Sequence, residues 1–280
     1  MTAGVWETER LDLDAYLRRV GRPAEPPSRV ALDALHEAHV RTFSFDNIDV
    51  LLDRHPGVRL DQVQAKFVGR GRGGYCFEHA TLFAAVLERL GYAVTRRLGR
   101  VGPPETTART HCVVVVEDPD AQDGGRLLAD PGFGMSVLRP IPLADGATDD
   151  FRGWSYRLRG VRAGEVPAWE LSRWRDEGWE LMHTHDELPV QPPDLVSGHH
   201  YTSTFPASHF RSTLMVTRHV DDTHVSLTHR TVTVRRAGRP TEHREIDVPE
   251  LRSRLHDLAV PLTADEEAQL LERVEQLRTP

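Results

Sequence analysis

Arg72-Gly73-Gly74-Tyr75-Cys76-Phe77-Glu78-His79 sets one of only two cysteines directly after a Gly-Gly pair and at the head of an apolar-periodic run. Leu82, Phe83, Val86, Leu87 and Leu90 recur at helical spacing, and Gly91 follows them as a stop signal. Cys76 is therefore expected in the first turn of a buried helix. Unpaired backbone N–H groups and the positive end of the helix dipole there favour thiolate over thiol. A free cysteine ionises near pH ~8.5, and such a setting with an imidazole neighbour brings it to roughly 3.5–7.5. Read by itself, the same residue also fits the common role of a small buried apolar group.

Working outward, Thr110-His111-Cys112-Val113-Val114-Val115-Val116 reads as a β-branched strand with a histidine at its entry, and Arg126-Leu127-Leu128-Ala129-Asp130 as the next strand. The polar stretch from Glu117 to Gly125 reads as the hairpin loop between them. Paired as neighbours, the two strands bring His111 and Asp130 to one end of the hairpin, just before the sharp turn Pro131-Gly132-Phe133-Gly134. A thiol nucleophile needs this arrangement: the imidazole takes the thiol proton, and the carboxylate fixes the tautomer and stabilises the imidazolium. Each residue has a plainer reading too, His111 as a satisfied strand-end histidine and Asp130 as a turn former. Cys112 alternates to the face opposite His111 and is expected in the core.

The motifs around these residues resemble the arylamine N-acetyltransferase family. The resemblance rests on Arg-Gly-Gly-Tyr-Cys-Phe-Glu at 72–78, Arg109-Thr110-His111 and Asp130-Pro131-Gly132-Phe133-Gly134. It extends to Leu13–Gly21, to Phe45-Asp46-Asn47-Ile48-Asp49-Val50-Leu51-Leu52 and to Tyr201-Thr202-Ser203-Thr204-Phe205-Pro206-Ala207-Ser208-His209-Phe210, so it covers nearly the whole chain. Ser44 stands where the family has proline and Asp46 where it has glutamate. His183-Thr184-His185 and His199-His200 replace segments that more often carry aromatic or Asn residues. The resemblance implies an α+β multidomain fold with a papain-like Cys-His-Asp core: an N-terminal helical bundle, a central β-barrel and a C-terminal α/β lid. It implies acetyl-CoA as acyl donor, no metal, and Cys76, His111 and Asp130 as catalytic residues. Phe45, Tyr75 and Phe133 would line the pocket of a small aromatic amine acceptor. The coenzyme would run past Thr107, Gly132 and Gly134, the two glycines permitting close backbone approach.

Periodicity agrees with that layout. Leu11 to Val20, Val30 to His39, Leu60 to Val68 and the cysteine run read as helices, and Ala93 to about Leu195 reads as short strands split by turns. Gln191-Pro192-Pro193-Asp194 reads as a boundary; beyond it, Arg211–Val220 and Val225–Arg235 read as paired strands, followed by closing helices at Pro249–Leu258 and Thr263–Leu277. The expected domains are thus 1–91, carrying the nucleophile, 92–195, carrying His111 and Asp130, and 196–280 as interdomain segment and lid.

With 280 residues, 39% hydrophobic and 28% charged, the chain can bury a large core divided among several units. No apolar run approaches the roughly 18–20 residues of a membrane span, and the first ten residues lack the pattern of a signal peptide, so the expectation is a cytoplasmic protein without a membrane partner. Net charge is −7 with the basic residues dispersed, which shows no nucleic-acid footprint. Lys66 is the sole lysine. Oligomeric state is not legible.

Fifteen histidines raise a metal reading: His183-x-His185 with Asp186 and Glu187, His199-His200, or Cys76-x-x-His79. None supplies a complete tetrahedral set, and His183 and His185 on one face of a strand equally suit a solvated or partly buried sheet surface. The leading function is acetyl-CoA-dependent acetylation of arylamines, arylhydrazines or arylhydroxylamines by a ping-pong route through an acetyl-cysteine. Alternatives are an amide synthase releasing a polyketide chain as a macrolactam, a cysteine hydrolase or transglutaminase-like enzyme, and a noncatalytic metal or ligand binder.

Overall fold

The run after the Gly-Gly pair forms the helix Cys76–Arg89, in which every residue from Cys76 to Leu87 is buried. A helix enclosed on all sides needs cover from other elements. Here the helices Leu13–Val20, Arg29–Thr42 and Leu60–Gln64 surround it on one side, and the strands Val94–Arg100 and His111–Glu117 on the other. The structure, a computed structural model, describes residues 4–135 and 137–278. The expected helix from Leu60 to Val68 gives way after Gln64 to a wider π turn over Ala65–Gly69. That turn carries the Lys66 side chain inward to Asp49 and Glu78.

The middle of the chain forms an eight-stranded antiparallel sheet. Its spatial order is Ile141–Pro142, Arg126–Ala129, His111–Glu117, Val94–Arg100, Gly178–Asp186, Val166–Arg175, Trp154–Ala163 and Thr148–Phe151. The two edge strands lie against each other, so the sheet nearly closes into a barrel. Alternation divides the strand His111–Glu117 between two cores. Val113 and Val115 pack with Leu128, Leu158 and Leu171, whereas Cys112, Val114 and Val116 pack against the helical unit. The Val114↔Ala129 register sets Asp130 level with Val113, on the face and at the end of the sheet that carry His111.

The helix Pro192–Thr204 starts at the Pro-Pro pair and runs across the expected 195/196 boundary, burying Leu195 in the helical core. A second antiparallel sheet follows, Val216–Val220, Thr223–Leu227, Thr231–Arg236 and Glu242–Glu245, and its first strand also pairs with Phe45–Asp46 from the N-terminal unit. The helices Val248–Asp257 and Ala264–Arg278 cover it through Leu251, Leu255, Leu270 and Val274. Two local expectations change. The strand expected from Arg211 begins only at Val216, because His209–Ser212 forms a helical turn capped by the Ser208 hydroxyl. The segment expected as one strand over Val225–Arg235 is two, broken where Thr228 Oγ1 accepts from the backbone N–H groups of Arg230 and Thr231 at 3.1 and 3.0 Å. Among the described residues no helix is long and apolar enough to cross a membrane.

Candidate active site

The Gly-Gly pair is a crossing point of chains. A Cβ on Gly73 would stand 1.8 Å from the Ser44 carbonyl oxygen, so no other residue fits. The Gly74 N–H donates to that carbonyl at 3.2 Å, and the Asp46 N–H donates to Gly74 O at 2.7 Å. The crossing holds Phe45 beside the start of the cysteine helix. Ser44 Oγ donates to Asp46 Oδ2 at 2.9 Å, so the two departures noted above form a pair. Glu78, in the helix's first turn, accepts the Tyr75 N–H at 3.1 Å and satisfies one of the donors a helix start leaves open.

Cys76, one residue inside that helix, donates its S–H to the Thr110 carbonyl at 3.3 Å, and its sulfur lies near enough to His111 to favour the protonated imidazole. His111 Nε2 donates to Asp130 Oδ2 at 2.9 Å. Both partners are buried. Burial alone would lower the pKa of His111, but the Asp130 charge and hydrogen bond, with the contribution of Cys76, hold it above the ordinary imidazole value. Burial would likewise raise Asp130, yet His111 and His183 keep its carboxyl well below the usual carboxylate range. Cys112 is the opposite case: burial pushes its thiol up, which makes it an inert core sulfur.

Cys76 and His111 open onto a cavity of about 540 Å³. Cys76, His111, Phe45, Phe133, Thr107, Gly132 and Gly134 all line it, whereas Asp130, fully buried, does not. Phe133 stands edge-on to the His111 ring with centroids 5.2 Å apart. Tyr75 is placed differently. It is fully buried, its ring against Phe77 and Phe210 and its hydroxyl paired with His199 Nδ1, and it is not among the lining residues. Gly132 has a reason inside the protein: a Cβ there would sit 2.9 Å from both Cys76 Cα and His79 Cβ. The 131–134 turn can thus lie flush on the cysteine helix only with glycine at that position.

Several residues escaped the sequence reading. Phe210 and Met215 line the cavity from the third unit, and only the Tyr201–Phe210 motif pointed towards the first of them. Behind the cysteine helix, the sole lysine contacts Glu78 Oε1 at 2.8 Å and Asp49 Oδ2 at 3.1 Å. Arg72 reaches Asp49 at 2.8 Å and Glu266 of the last helix at 3.3 Å. Against the effect of burial, Lys66 and His55 keep the Glu78 carboxyl well below its usual range.

The histidine groupings also differ from those the sequence suggested. Asp186 is taken by Arg109 at 2.7 Å, and Glu187 by Arg126 at 3.0 Å and Trp169 Nε1 at 2.7 Å, so neither joins His183 and His185 as a ligand set. His79 turns away from the cavity, its Nδ1 on His39 Nε2 at 2.9 Å and its Nε2 on Ser44 O at 3.1 Å. His183 and His185 are both fully buried rather than on a solvated surface. His183 Nε2 lies 2.9 Å from Asp130 Oδ2. The group His111, Asp130 and His183 is close enough to hold a metal ion.

A family model described as N-acetyltransferase matches residues 30–263. An arylamine N-acetyltransferase of Mycolicibacterium smegmatis is 38% identical over 245 residues, 85% of this chain and 86% of that protein. Among solved structures, the arylamine N-acetyltransferase of Nocardia farcinica superposes with a TM-score of 0.90 at 31% identity, covering 98% of this chain and 99% of that one. The Mycobacterium marinum arylamine N-acetyltransferase in complex with CoA gives 0.86 at 32% identity, covering 95% and 99%.

Proposed function

We propose that this chain, which belongs to the arylamine N-acetyltransferase family of acyltransferases, moves acetyl from acetyl-CoA to an arylamine, arylhydrazine or arylhydroxylamine by a ping-pong route through acetyl-Cys76. The observation that carries the reading is a helix-start thiol at the wall of an apolar cavity, joined to an imidazole that is ion-paired with a buried carboxylate. The CoA complex of the M. marinum relative supports the choice of donor.

In the first half-reaction His111 holds the Cys76 proton, and the thiolate attacks the thioester carbonyl. The oxyanion forms at the head of the helix, where the Cys76 backbone N–H is a donor. CoA leaves as its thiol, carrying the proton returned by the imidazolium. In the second, the amine attacks the acetyl-cysteine, His111 takes its proton, and the Cys76 sulfur departs. Asp130 stays ionised throughout and holds the His111 tautomer. Phe45, Phe133 and Phe210 would flank the acceptor ring and keep water from the acyl-enzyme. The donor would enter along Thr107 and the 132–134 turn. Tyr75 supports this wall from behind through Phe210.

Acetyl-CoA alone should release about one equivalent of CoA in a burst, with the acetyl group mapped to Cys76 by mass spectrometry, and slow turnover after it. An arylamine should then raise the steady rate and give parallel double-reciprocal plots. Fast CoA release without amine, or convergent plots, would defeat the reading.

A further inference from the structure

Asp130 Oδ2 has two imidazole nitrogens at the same distance: His111 Nε2 at 2.9 Å and His183 Nε2 at 2.9 Å. The first contact has hydrogen-bond geometry; the second has the distance of one, with its N–H off the line to the oxygen. Among the described residues neither nitrogen of His183 has another hydrogen-bond partner, and Asp130 Oδ1 has none. Its ring packs among its neighbours, with centroids 4.6 Å from His111, 5.3 Å from Phe133 and 5.6 Å from His185. The barrel register explains how the rings meet. His111, Gly99 and His185 lie in one row across three neighbouring strands, and Gly99 has no side chain between the two histidines.

We propose that His183 is a positioning residue that donates Nε2–H to Asp130 and so extends the Cys76-His111-Asp130 arrangement to four members. A buried carboxylate that serves as partner to a catalytic imidazole must stay ionised without water. Burial and the neighbouring His111 keep His183 neutral, so it offers Asp130 a hydrogen bond and adds no competing charge. With one lone pair held by His183, the carboxylate is locked in the plane that meets His111 Nε2, and His111 in turn keeps its other nitrogen towards Cys76. Hydrogen bonds to a charged group are among the stronger ones, and an imidazole a fraction of an ångström out of place takes the Cys76 proton poorly.

This inference rests on the catalytic reading of Cys76, so its test reads the thiolate without any acyl donor. Cys76 alkylation by iodoacetamide is followed from pH 5 to 9 in wild type, H183F, H183M and H183Q, each in a C112A background, with a melting curve for each. H183F and H183M keep bulk and lose the donor; H183Q keeps one. Alkylation at pH 7 should fall about tenfold in H183F and H183M, as expected for loss of one charge-assisted hydrogen bond, with an altered pH profile. H183Q should stay within about threefold of wild type by the same reasoning. Acetyl burst rates should follow the same order while the KM for acetyl-CoA stays level. Wild-type alkylation rates in folded H183F and H183M would overturn the proposal, and so would equal losses in all three variants, which would mark a packing role. One equivalent of zinc in purified, untagged protein, removed by chelator together with reactivity, would overturn it in favour of a metal held by His111, Asp130 and His183. A wild-type enzyme that alkylates readily but gives no acetyl burst would instead refute the acetyl-CoA reading and leave the His183 comparison standing.

Discussion

Replacing Gly132 by alanine separates two reasons for that glycine. If the residue is small so that the coenzyme can approach the backbone, a methyl group should weaken donor binding and leave the fold untouched. The structure gives a different cause, since the added Cβ would lie 2.9 Å from Cys76 Cα and 2.9 Å from His79 Cβ. Carbon atoms in contact prefer about 3.5–4.0 Å, and both obstructing atoms belong to a helix whose residues from Cys76 to Leu87 are all buried. The 131–134 turn must therefore retreat by roughly 1 Å, the gap between those separations. Overpacking of this kind costs about 1–3 kcal/mol, which for a chain of this size lowers Tm by roughly 2–12 °C. The retreat also carries Asp130 and Phe133 away from His111, and a displacement near 1 Å at reacting groups can cost on the order of 100-fold in rate. Scanning fluorimetry with steady-state kinetics checks both: G132A should lose Tm and kcat together, with the KM for acetyl-CoA little changed. G134A serves as the comparison. Its Cβ would first meet the Phe45 ring, at an ordinary 3.4 Å, and its φ of +49° costs a side chain about 1 kcal/mol. An unchanged Tm in G132A with a raised donor KM would refute the packing argument.

C76S should abolish the acetyl burst and keep the wild-type Tm, because a hydroxyl retains the shape and is a far weaker nucleophile near neutral pH; C112A should stay active with a loss near 1 kcal/mol from one small buried group, measured by urea melts. K66M removes the cation that Asp49 and Glu78 share, leaving Asp49 to Arg72 and Glu78 to His55, and should destabilise by roughly 3 kcal/mol at pH 7, the low end for breaking a buried pair. The deficit should shrink as pH falls, because without Lys66 the Glu78 carboxyl protonates at a higher pH; a deficit that is constant with pH would contradict the ion-pair account. His36 and His79 are pushed down to about 4 by burial, so the unfolded chain takes up protons near pH 6.5 that the folded one refuses. Stability should accordingly rise with pH between about 4 and 6.5, and a flat Tm across that window would show that these imidazoles are not held neutral.

Local signals carried the parts of this molecule that could be read in advance. The cysteine helix announces itself by spacing and by its stop at Gly91, and the His111 strand by a run of valines. Asp130 follows from one hairpin, in which the Val114↔Ala129 register is settled by neighbours about fifteen residues apart. Lys66 gave no such signal beyond being alone of its kind, since its partners Asp49 and Glu78 lie 17 and 12 residues away and meet it only through a π turn that periodicity does not foretell. Thr228 shows the same limit at shorter range: the alternation over 225–235 is strand-like throughout, and one hydroxyl bonding two N–H groups breaks it.

His183 is the sharpest case, because the sequence rule that applies to it was right and still insufficient. Alternation sets His183 and His185 on one face of the strand Gly178–Asp186, and both side chains are indeed buried together. Which face becomes interior depends on Gly178–Asp186 pairing with Val94–Arg100, about eighty residues earlier in the chain, and on that strand pairing in turn with His111–Glu117. Before the barrel closes, a His-x-His pair could equally be solvated surface or a fragment of a metal site. After it closes, both rings are buried, and His183 meets the carboxylate that pairs with His111. The tertiary pairing that no local pattern encodes is therefore what turns an ambiguous strand motif into the back wall of the reactive site.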